Sequence, residues 1–139
     1  MNIMLISAGV LSATAAFLHL GCIYFGASWY RFFGAGEQMA LMAEQGNIQP
    51  TLITSGITIV LGVWSLYAFS AAGMITALPF TRTVLVIIST IYLLRGIAGF
   101  FFISNPLGRS AEFWVWSSSI CLVIAVVHII GLKQVWSSL

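Results

Sequence analysis

The sequence predicts an all-α fold: a polytopic membrane protein built as an antiparallel bundle of four transmembrane helices, with a short amphipathic helix in the first connection. Three observations carry this. Four apolar runs of about twenty residues each are long enough, at 1.5 Å per residue, to cross a hydrocarbon core of about 30 Å. Only 6% of the 139 residues are charged, against about a quarter in soluble domains. Finally, the connections after the second and third runs are short, which forces neighbouring spans to run antiparallel. Mean hydropathy is +1.07. One bundle fills residues 1–139 as a single transmembrane domain, with no space for an appended soluble catalytic module. The formal charge of +2 is spread over five basic residues without a cluster, which excludes nucleic acid and a polybasic lipid patch.

The first span is read over 3–25. Its Gly9, Ala13 and Ala16 recur at helical spacing and admit a close neighbour. Ala13-Thr14-Ala15 has the look of a small-residue cleavage site. No Lys or Arg precedes the apolar run, however, and the run continues to Phe25, so a retained helix is expected. The longest connection follows. Trp29, Tyr30, Phe32 and Phe33 suit the headgroup level. Residues 36–45 read as the amphipathic helix, with Glu37, Gln38, Glu44 and Gln45 on one side and Met39 and Met42 on the other. It would lie on the membrane surface or fold over the mouth of the bundle.

The second span is read over 51–71, opened by Pro50 and stopped by Gly73. The third, 83–103, holds one charge, Arg95. Ser110 reads as the N-cap of the fourth span, 111–133, with Glu112 suited to the positive end of the helix dipole. Both termini then share a side with Arg82 and Lys133, and Arg31 and Arg109 lie opposite, a two-to-two tie in basic residues. The amino-terminal ammonium tips the choice toward cytoplasmic termini, with dual topology as the alternative.

An arginine inside a span faces protein or water rather than lipid, or else snorkels to the interface. From the face bearing the long connection, His19 and Arg95 lie roughly 9 and 12 Å deep, so they can share a layer. No Asp or Glu lies within any span. The counter-charge of Arg95 is then Glu37, Glu44 or Glu112 dipping inward, or an anionic ligand. Tyr92, one turn deeper on the same face, is placed to support it by a hydrogen bond. The candidate ligand-binding set is therefore Arg95, Tyr92, His19, Glu37, Glu44 and Glu112. His128 lies roughly 15 Å from the level of His19, which argues against a haem held between them. His19, Cys22 and Cys121 are a weak metal signal beside the ordinary role of cysteine as a small buried residue, so neither a metal nor a cofactor is expected. The lack of a carboxylate in any span also weighs against proton-coupled export.

On the stretches YFGASWYRFFGAGEQMA, residues 24–40, and YLLRG, residues 92–96, the chain resembles small bacterial four-helix membrane proteins that are distantly similar to the DoxX-like proteins. The resemblance implies a four-helix bundle in a bacterial inner membrane. DoxX is associated with quinone-linked sulfur oxidation, but no catalytic residue set carries over. Three functional readings follow. The first is a binding or accessory module with an Arg95-centred pocket for a membrane lipid, another amphiphile or a partner protein. The second is an enzyme or quinone-linked redox subunit acting on a lipid-soluble substrate, with His19 as acid or base. The third is a structural subunit of a larger membrane complex or homo-oligomer.

Overall fold

The computed structural model describes all 139 residues, in six α-helices and no strands: α1 (Ile3–Phe25), α2 (Ala27–Phe32), α3 (Glu37–Glu44), α4 (Gln49–Ala72), α5 (Thr81–Phe100) and α6 (Ala111–Val135). Four of these, α1, α4, α5 and α6, are long and apolar enough to cross a membrane. The protein is an all-α polytopic bundle.

Local sequence sets where the helices begin and end. Asn2 caps α1 by accepting from the Leu5 amide, and Ser110 caps α6 by accepting from Phe113. Pro50 sits in the first turn of α4, where its missing N–H costs nothing, and Gly73 ends that helix in the left-handed conformation with φ 87°. α5 closes three residues before the expected 103. Phe101 and Phe102 donate to the carbonyls of Ala98 and Gly99, tightening the last turn into three-residue steps. The apolar run continues, but the helix does not.

α1 packs along α4 and α5 along α6, each pair antiparallel, and contact between α1 and α6 joins the pairs. α4 meets α5 only sparsely. Small residues make the close approaches. The Phe69 ring fills the space beside Gly9, and Ser65 Oγ donates to the Gly9 carbonyl at 2.8 Å. Gly96 and Gly99 let α5 close onto Leu122 and Ser118, and Gly131 admits Leu5. Leu5, Leu85, Ile88, Ala125 and His128 are wholly enclosed near the end that carries the termini. That end is also tied. Asn2 Nδ2 donates to Gln134 at 2.8 Å, and Arg82 donates to the carbonyls of Trp136 and Leu139. Outward faces are apolar, with Phe17, Ile59, Leu94 and Val123 all exposed, as a lipid solvent requires.

The first connection holds one helix more than expected. α2 is fixed by Tyr30, whose ring is buried in the protein rather than half wet, its hydroxyl bonded to Thr54 Oγ1 at 3.0 Å. Tyr30 packs with Cys22 and Ala40, so α2 and α3 fold over the open end of the bundle.

Candidate functional site

Where α4 and α5 stand apart, the bundle holds a partly open cavity of about 1470 Å³, whose lining includes the exposed Leu52, Ile57 and Ile91. Its walls come from the last turns of α1, the first half of α4, the end of α5 and the start of α6, and Arg31 to Gly34 lie across its mouth. The walls are mostly aliphatic and aromatic, with polar groups gathered toward the mouth. The antiparallel register explains the gathering. α1 and α5 end at this level and α4 and α6 begin there, so His19, Arg95 and Glu112 are brought together from distant parts of the sequence.

Arg95 lines the cavity, half-buried. It lies one turn, about 6 Å, deeper than Gly99, which faces Ser118 on α6. The side chain leans back toward the mouth but stays among protein groups. Nη2 donates to Ser117 Oγ at 3.1 Å, and the guanidinium carbon stands 5.0 Å from the Trp114 ring centre. Nη1 is buried with no hydrogen-bond partner, as is the neighbouring Ser118 Oγ. Both atoms crowd the point where Gly99 would carry a Cβ. Trp114 is pinned in turn by donating its indole N–H to the Pro106 carbonyl at 2.8 Å.

The other expected residues divide. His19 and Tyr92 share the cavity wall with Arg95, and so does Glu112. Tyr92 does not support Arg95. Its hydroxyl bonds Ser12 Oγ at 2.8 Å, because its ring is wedged between Trp64 and His128 and points toward α1. His19 Nδ1 bonds the Ala15 carbonyl of its own helix at 2.7 Å. Glu37 and Glu44 are not counter-charges for Arg95. Both clasp Arg31, with Glu37 accepting from Nε and Nη2 at 3.0 and 2.7 Å and Glu44 accepting from Nη1 at 2.6 Å. Hydrogen bonds to Glu37 and Glu44 hold the Arg31 guanidinium above its ordinary pKa, and the bond from Arg31 holds the Glu37 carboxyl below its own. Those are the only ion pairs in the molecule; Glu112 makes none.

Trp114, Ser117, Ser118 and Gly99 complete the Arg95 environment, and the sequence reading connected none of them with Arg95. The signal for them is weak: a Ser117-Ser118-Ser119 run in a span facing a span that holds an arginine and two glycines. Cys22 and Cys121 also line the cavity, yet no group of three or more His, Cys, Asp or Glu side chains converges as a metal site would require.

Fold and cavity together define a multi-pass helical membrane protein with a mostly apolar chamber whose polar end lies at one mouth. No family model, curated protein or solved structure matches the chain.

Proposed function

We propose that the protein is a membrane binding module that takes an amphiphile into this chamber, apolar tail along α4 and α5 and anionic head at Arg95. One observation carries the reading: a half-buried guanidinium lines the chamber and no carboxylate of the protein is paired with it. A charged group withdrawn from water is costly unless something answers its charge. The mostly apolar lining favours a tail rather than a small soluble anion. On this reading the module works in a bacterial inner membrane, as the DoxX-like resemblance implies, with cytoplasmic termini and its mouth on the opposite side.

The test is thermal unfolding in a non-ionic detergent with added oleate or dioleoyl phosphatidylglycerol, run on the wild type and Arg95→Leu. A ligand that binds only the folded state raises the midpoint in proportion to the logarithm of its concentration. The wild type should respond and the variant should not. Equal stabilisation of both proteins would remove the basis of the reading.

A further inference from the structure

Arg95 is one of two arginines gathered around the same indole. The guanidinium carbon of Arg109, in the connection between α5 and α6, stands 5.6 Å from the Trp114 ring centre and 4.8 Å from that of Phe113. Arg109 is exposed, at the rim next to Ser110 of the chamber wall, and its stem lies against Gly36 in the link between α2 and α3. Neither arginine has a carboxylate partner. Glu37 and Glu44 are both spent on Arg31, and Glu112 pairs with neither. The surrounding protein and then the charge of Arg95 push the Arg109 guanidinium below its ordinary pKa, so the two cations sense one another. Two like charges held at one aromatic ring, with Glu112 in the same wall but paired to neither, repel each other, and a bridging anion would relieve that repulsion.

Resting on the amphiphile reading, we infer that the head is a phosphate monoester, bridged by Arg95 from the wall and Arg109 from the rim on either side of contacts to Trp114. A carboxylate or phosphodiester carries a single charge. A phosphate monoester carries about −1.5 to −2 at pH 7 and offers three acceptor oxygens. Of the three heads it carries the most charge and the most acceptor oxygens to set against two guanidinium forks. The sources of such a group are a lipid phosphomonoester and free phosphate, and the tail-lined chamber favours the lipid.

The experiment measures binding by native mass spectrometry of the full chain released from non-ionic micelles. Four probes are compared: dioleoyl phosphatidic acid, dioleoyl phosphatidylglycerol, oleate and inorganic phosphate. The wild type should bind phosphatidic acid about tenfold more tightly than phosphatidylglycerol, the factor that one further charge-assisted bond of about 1.4 kcal/mol supplies. Arg109→Gln should shrink that preference to about twofold while phosphatidylglycerol binding persists, and Arg109→Lys should recover part of it. Arg109 is exposed and outside the spans, so its substitution leaves the bundle intact. An unchanged preference in Arg109→Gln, or none in the wild type, overturns the phosphomonoester and leaves the amphiphile reading standing. Failure of all three lipids to bind the wild type overturns the amphiphile reading itself. Binding of inorganic phosphate as tight as that of phosphatidic acid, and lost in Arg109→Gln, supports the two-arginine site and overturns the lipid as its source.

Discussion

Arg82 and Arg95 lie on the same helix and each stands over a tryptophan of the polypeptide that follows, Trp136 at 4.6 Å and Trp114 at 5.0 Å. Their hydrogen bonding differs. Arg82, exposed at the terminal end, donates to two backbone carbonyls of the tail. Arg95, thirteen residues on, has one serine and an unpartnered N–H. The same contrast holds for the packing around each. At the terminal end Leu5, Leu85, Ile88 and Leu132 fill the space between helices, while at the other end α4 and α5 part around the chamber. One end is a clasp that gives the bundle its stability, and the other keeps its volume and its charge uncommitted.

Truncating a side chain at each end breaks this comparison most directly. Leu85 is wholly enclosed, whereas Leu52 lines the chamber and is 61% exposed. In lipid the loss on truncation is mainly one of packing contacts, since the bilayer is as apolar as leucine. Leu85→Ala should cost about 2–5 kcal/mol of unfolding free energy in mixed micelles. Leu52→Ala should cost no more than about 0.5 kcal/mol. Equal costs would mean that the chamber is packed as tightly as the clasp.

A smaller effect is expected at Gly99, where the two ends of the argument meet. Any Cβ there would collide with Ser118 Oγ and press on Arg95 Nη1. Gly99→Ala should destabilise by about 1–3 kcal/mol, the range for overpacking, and weaken amphiphile binding by displacing Arg95. Adding Ser118→Gly clears the collision and should restore most of the stability. A double variant as unstable as the single one would show that Gly99 matters for a reason other than this contact.

The spans were legible because the bilayer imposes them: residues 3–25 were read as one helix and Ile3–Phe25 is one helix. Helix ends were less legible. Phe101 to Ile103 are as apolar as what precedes them, so hydropathy reports their solvent and not their backbone. Tyr30 was read as a wet ring at the interface, but its burial depends on Thr54, 24 residues away on another helix. Arg95 stood out as the only charge in its span, and the depth arithmetic put it with His19, whose side chain does share its chamber. What it touches was hidden, because contacts to Ser117 and Trp114 depend on how α6 is rotated, and a single sequence carries little of that. Glu37 and Glu44 were offered to Arg95, yet Arg31 lies only 6 and 13 residues from them and on the same surface layer. The nearer cation took both.

That nearer pairing supplies the smallest effect, and the one that shows how the mouth is covered. Two devices hold α3 over the bundle: burial of Ala40 against Tyr30 and Cys22, and the clasp of Arg31 on Glu37 and Glu44. The clasp is exposed, and exposed pairs are weak and screened by salt. Arg31→Gln should therefore leave the global melting midpoint unchanged and speed amide hydrogen exchange only within residues 37–44, an increase that added salt reproduces in the wild type. The pH dependence has a definite sign. Because Glu37 titrates below its ordinary range in the folded protein, its contribution is fully present above that range and is lost as pH falls through the lowered value. After correction for intrinsic rates, exchange in α3 should rise in the wild type as the pH is taken below the ordinary carboxylate range and show no such step in Arg31→Gln. If α3 stays equally protected in both proteins at both pH values, the buried Tyr30 and Ala40 alone hold the cover, and the two carboxylates serve only to keep Arg31 from competing with Arg95.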